Sequence, residues 1–265
     1  MSFMSLNQQV PLNQQVAWHD LTEHTLIDTI KEMSLPLAWL TFSLIAINFS
    51  FLLAIICVSY TFLYALRVAH NAFHRALGMP VRAYNWVMLV MSWILIGSVH
   101  AVSVTHMYHH DHCLEGDDVE GQLAHHSFWK ALMLSPIYPF RVHIQAFKIA
   151  SLENRRWIIL ELVSSATIHL FMLPTLLGVN YSLYLAVMIL ANLFSPMFST
   201  WLVHRDCDNA SSQARSCRSA IVNFLTGNMF YHHEHHLFPA VPSRRMPELG
   251  ARIDRHTKEN GLMIY

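Results

Sequence analysis

Three stretches of this chain contain no Asp, Glu, Lys or Arg: residues 33–66, 83–105 and 162–203. No other feature limits the fold as strongly, because a helix that crosses a bilayer needs about 20 apolar residues at ~1.5 Å each. The third stretch has room for two crossings, over about 158–178 and 181–203, with Gly178, Val179 and Asn180 as the turn. The first, 33–66, reads as a hairpin turning near Asn48. The expectation is an all-α integral membrane protein with about four transmembrane helices. Residues 1–32 read as a polar N-terminal tail ahead of a single domain over 33–265. That tail is rich in Ser, Asn and Gln and does not read as a signal peptide.

Charge then orients the chain. Lys plus Arg and Asp plus Glu are each 17, so no net charge attracts nucleic acid. All 17 basic residues lie outside the three stretches, and none lies in the turn around Asn180. The positive-inside rule therefore places 67–82, 106–156 and 204–265 on the cytosolic side of a multi-pass protein. The four cysteines, Cys57, Cys113, Cys207 and Cys217, form no C-x-x-C pair, which excludes a disulfide scaffold and a thiolate zinc site.

The 19 histidines outnumber either charged class. Three groups have helical spacing: His70 and His74, then His106, His109 and His110, then His232, His235 and His236. Residues three and four apart share a helix face, so each group aims its imidazoles one way. Neutral imidazole suits iron, zinc and copper, and rings converging from several helices can enclose an ion. A shared centre requires all three groups on one side of the membrane. Only 83–105 separates the first two groups, so this stretch is expected to be interfacial or re-entrant, although hydropathy alone makes it a span.

The run His-Asn-Ala-Phe-His at 70–74, His-Met-Tyr-His-His at 106–110 and His-His-Glu-His-His-Leu-Phe-Pro at 232–239 resembles the membrane fatty acid desaturase and hydroxylase superfamily. The likeness covers about residues 35–250. It implies two iron ions in an all-histidine cage, held in a helical cap on the cytosolic face of the bundle. It also implies O2 as co-substrate and attack on unactivated C–H bonds. The implied ligands are His70, His74, His106, His109, His110, His232, His235 and His236, with His204 as a ninth between the last span and the final group.

This chain departs from the family pattern at two places. The extra His233 permits a second register in the final group, although the i, i+3, i+4 pattern favours His232. In the first group, Asn71 and Arg75 stand where the family commonly has Asp and Gly. By the same resemblance, acidic residues after the second group, Glu115, Asp117, Asp118 and Glu120, orient ligating rings. The chosen candidates are Asp117, Asp118, Glu234 and Asp206. The implied activity is O2-dependent desaturation of a fatty acyl chain or related lipid. The alternative is a hydroxylase or ketolase acting on a carotenoid, alkane or sphingoid chain. Electrons are expected from a separate ferredoxin, rubredoxin or cytochrome-type protein.

Two other classes fit the sequence poorly. A haem electron carrier expects single histidines on facing spans, as with His100 and His169, and leaves the groups without a purpose. A zinc hydrolase needs H-E-x-x-H, and His233-Glu234-His235-His236-Leu237 lacks its second histidine.

Overall fold

The structure, a computed structural model, describes residues 12–207 and 213–259. Among the described residues it is all helix and turn, apart from one isolated bridge between Ser216 and Tyr231.

Helix α1 (Leu26–Ala46) and helix α2 (Phe51–Phe73) pack antiparallel. Near one end Ser43 Oγ lies 2.8 Å from Thr61 Oγ1, and near the other Thr29 Oγ1 donates to the Leu77 carbonyl at 2.8 Å. Asn48 builds the turn by donating from Nδ2 to the Leu44 carbonyl, and Ser50 caps α2 by accepting from Leu53 N.

The ordered fold begins earlier than the expected boundary at residue 33. Thr25 and Asp28 form a capping box that satisfies free N–H groups at the start of α1. Glu32 is buried and takes both arms of Arg67 at 2.7 Å each. Upstream, Val16 and Leu21 are buried against Phe238, Leu249 and Ile253.

The stretch 83–105 is not one straight helix. Helix α3 (Val81–Leu95) and helix α4 (Val99–Asp111) meet at a bend of 111°. Ala65, Ala69 and Ala72 of α2 are fully buried with Tyr84, Val87 and Met91 of α3, and small side chains of this kind let helices approach closely. The bend falls at Ile96, whose φ of 58° is left-handed.

Ser98 caps α4, accepting from Ala101 N at 3.0 Å and donating to Glu161 Oε2 at 2.6 Å. The same carboxylate accepts from His100 N at 2.9 Å and meets His100 Nδ1 at 2.5 Å. A buried anion thus sits at a helix N-terminus, where the helix dipole favours it. His100 is consumed by this pairing and by stacking on Trp157.

Helix α5 (Tyr138–Ile149) leads into α6 (Leu152–Leu177) and α7 (Tyr181–His204). Helices α2, α6 and α7 are the three among the described residues that are long and apolar enough to cross a membrane, and α3 with α4 makes a fourth only if the bent pair counts as one. Helix α6 contains a π turn at Ile168–Met172 and α7 another at Met197–Trp201. His169 is spent on packing contacts, a hydrogen bond to Tyr181 OH and one to the Trp93 carbonyl at 2.5 Å. Asn180 Nδ2 donates to Asn48 Oδ1 at 3.0 Å, so the two interhelical turns lie together at one end of the bundle. The opposite end carries three shorter helices, α8 (Ala220–Leu225), α9 (His232–Leu237) and α10 (Met246–Glu259).

Candidate metal centre

His70 lies in the last turn of α2 and His74 is its C-cap. His106, His109 and His110 occupy the last turns of α4, and His204 ends α7. Three helices therefore point their C-termini at one place. Each such end carries about half a negative charge, a field that attracts cations. The short helix α9 supplies His232, His235 and His236.

The rings form two sets. His70, His74, His106 and His235 bring their nitrogens within 4.8 Å of one another, as do His109, His204, His232 and His236. His110 joins the sets: its Nε2 is 3.2 Å from that of His106 and 2.9 Å from that of His235, and its ring stacks on His236.

Several Nε2 atoms face each other closely: His74 and His106 at 3.1 Å, His109 and His204 at 3.2 Å, His204 and His232 at 2.8 Å, His232 and His236 at 3.2 Å. The far sides of three rings are already committed. His106 Nδ1 donates to Glu120 Oε2 at 3.0 Å, His109 Nδ1 to Asp118 Oδ2 at 2.7 Å, and His204 Nδ1 to the Gln213 carbonyl at 2.7 Å. A neutral ring that donates from Nδ1 keeps a lone pair on Nε2. Lone pairs aimed at each other repel unless a cation lies between them. Two imidazoles bound at right angles to one ion, at roughly 2.1 Å, put their nitrogens ~3.0 Å apart, close to the spacings here. The donor set fits a metal ion in each set.

Burial among like rings holds His74, His232, His235 and His236 well below the ordinary 6.5, so they are neutral at pH 7, the ligating form. Burial pushes the Glu120 carboxyl up to about 7, while Thr105 Oγ1 donates to it at 2.7 Å. Burial also opposes ionisation of Asp118, but the His109 hydrogen bond and the backbone N–H of Leu114 hold its carboxyl below the usual value.

The remaining candidates lie elsewhere. Asp117 is exposed and accepts from Tyr108 OH. Asp206 is 84% exposed at its side chain, 3.7 Å from Arg215. Glu234 is buried but holds no ligating ring: it accepts from Ser216 Oγ and pairs with Arg218, which also grips Asp254 at 2.8 and 3.0 Å. Glu234 thereby pins α9 to the Ser216 loop and to α10. His233 belongs to neither set, and its backbone N donates to Ser216 Oγ.

The two departures in the first histidine group have local roles. Asn71 donates to Glu32 and accepts from Ser243 N and Oγ, tying α1, α2 and the chain ahead of α10 together. Arg75 has φ 56°, the conformation that favours glycine. Among the acidic residues after the second group, the structure uses Glu120, which the chosen candidates left out. Residues 118–120 lie in an irregular turn, so spacing along the sequence carried no signal for which carboxylates face the rings.

A cavity of about 460 Å³ opens beside the first set, with His70, His106 and His232 in its wall. Its other walls are mainly apolar, including Phe62, Leu66, Val102 and Val142. Along α2 it runs from His70 to Ser59, ~16 Å of helix axis.

Helices of membrane-spanning length, two converging histidine sets and an apolar cavity beside them define the site. The chain belongs to the fatty acid desaturase family, whose sequence pattern matches residues 37–265. It is also 28% identical, over 200 residues, to a beta-carotene ketolase from Paracoccus sp. (strain N81106 / MBIC 01143), a match covering 71% of this chain and 74% of the relative. Family and relative together make the chain an oxidoreductase of the desaturase, hydroxylase and ketolase superfamily, whose desaturase family is membrane-associated and acts on lipids.

Proposed function

We propose that the chain is an O2-dependent di-iron enzyme that introduces a double bond into a fatty acyl chain or related lipid. The observation that supports this reading is the nitrogen-only donor set set into the wall of an elongated apolar cavity. The iron ligands are His70, His74, His106, His235 and, in the second set, His109, His204, His232, His236, with His110 between. Bound there, the ions supply O2 activation and oxidation of a C–H bond. The protein's share is positional. Asp118 and Glu120 hold His109 and His106 in one tautomer and one orientation. Phe62, Leu66 and Val102 keep water out and hold methylene groups beside His70 and His106. O2 takes two hydrogens from the chain and two electrons with two protons from elsewhere, giving two waters. A separate ferredoxin, rubredoxin or cytochrome-type donor provides those electrons.

A second reading, ketolation or hydroxylation of a carotenoid, is favoured by the beta-carotene ketolase likeness. Expression in a host that makes both acyl lipids and carotenoids, followed by mass spectrometry, separates the two. A lipid lighter by one H2 supports desaturation, and a carotenoid that gains oxygen supports the second reading. Lipids identical to those of a host expressing His235→Ala would remove both.

A further inference from the structure

The cavity meets the outside at Phe198. This residue lines the cavity and is also 61% exposed, so it forms part of the rim. It sits in the π turn Met197–Trp201 of α7, and π turns inside helices are frequent at functional sites. Phe198 and His204 are six positions apart, ~9 Å of helix axis. This part of α7 lies within the charge-free stretch 162–203, and Ile189 and Leu190 on the same helix are exposed at 47% and 55%.

A second apolar surface adjoins the cavity at Thr226. Thr226 lines the cavity, and the preceding α8 exposes Ile221 at 73% and Phe224 at 80%. Exposed apolar groups in such a cluster mark contact with a membrane or a partner. Among the described residues that line the cavity, Glu120 is the only Asp, Glu, Lys or Arg, and it is held by Thr105 and His106. A chain delivered from water on a phosphate-bearing carrier needs Lys or Arg at the mouth to receive the phosphate. Among the described residues, no Lys or Arg lines this cavity.

We infer that the substrate reaches the metal centre sideways, as an apolar chain passing from the bilayer through a portal in the α7 wall whose rim is Phe198. The inference rests on the reading that the occupant is a long apolar chain. It does not require that the chain be desaturated. The full-length protein in phosphatidylcholine nanodiscs is irradiated with a diazirine-tailed fatty acid dissolved in the bilayer, and in parallel with the same acyl chain on a soluble acyl carrier protein. Adducts are mapped by mass spectrometry. The bilayer-borne probe should label Val99 and Phe73, which lie inside the cavity. Phe198→Trp should reduce that internal labelling several-fold, Phe198→Ala should raise it, and Leu190→Trp should leave it unchanged. Internal adducts only from the carrier-borne probe would overturn the portal, as would equal yields in wild type, Phe198→Trp and Phe198→Ala. Because labelling needs no turnover, a chain that labels Val99 but is never oxidised removes the proposed reaction and leaves the portal standing.

Discussion

Asp118 and Glu120 decide which nitrogen of His109 and His106 is free, and they lie behind the rings at 2.7 and 3.0 Å. Partners of this kind typically contribute 10–100-fold in metal affinity. Asp118→Asn and Glu120→Gln should each lower iron affinity by about that factor, while Asp117→Asn should not, as measured by metal analysis after chelator competition. His109→Ala or His235→Ala should abolish activity and lower bound iron while the protein stays in the membrane. Acid should act in the same direction. Burial holds His74, His232, His235 and His236 below 6.5, so the stability these four rings contribute is complete above that value and lost as pH falls beneath it, when released or unfolded imidazoles take up protons. Iron retained after dialysis should therefore fall steadily below pH 6.5 and stay constant above it. At this scale, helical spacing picked out eight of the clustered histidines, and the family resemblance added His204. Spacing could not choose Glu120 over Asp117, because that choice depends on how an irregular loop turns.

Among the elements, α4 depends most on a distant residue. Its first turn is held by Glu161 of α6 through Ser98 Oγ, His100 N and His100 Nδ1, and its last turns carry three of the histidines. Glu161→Ala leaves those buried groups without their acceptor, and losing one partner of a buried pair costs about 3–5 kcal/mol. The variant should melt earlier in detergent and bind less iron. Glu161→Gln, which keeps the shape and one acceptor, should recover part of both losses. The histidine spacing already implied that 83–105 leaves and returns to one side. It did not reveal where the chain bends. Ile96 adopts a φ that β-branched residues avoid, and the support for the bend comes from Glu161, far along the sequence. The early start of α1 was hidden for a related reason, since Glu32 reads as a tail charge until Arg67 is placed against it.

For the molecule as a whole, the two ends of the bundle differ in charge as well as in chemistry. The end with the Asn48 and Asn180 turns has no Lys or Arg in either turn, whereas every basic residue falls on segments that lead to or from the histidine end. The spacing of the histidine groups and the charge pattern were both readable from the sequence, and the structure joins them: His74 and His106 touch at 3.1 Å, so α3 and α4 together begin and end at the same level. We therefore predict that in a cell residues on both sides of the bent pair face the cytosol and that the Asn180 turn faces away. Gly78 is a poor reporter site, because a Cβ there would lie 2.4 Å from His24 Cβ and the backbone has φ 66°. Arg82 is exposed, Gly116 has open space around its Cα, and Val179 is 83% exposed. In a Cys217→Ser background the other three cysteines are buried. A membrane-impermeant maleimide applied to intact cells should label Val179→Cys at once, and Arg82→Cys and Gly116→Cys only after permeabilisation. If Arg82→Cys and Gly116→Cys label from opposite sides, α3 and α4 cross the membrane as one bent span, and one shared centre on a single face cannot hold both histidine groups.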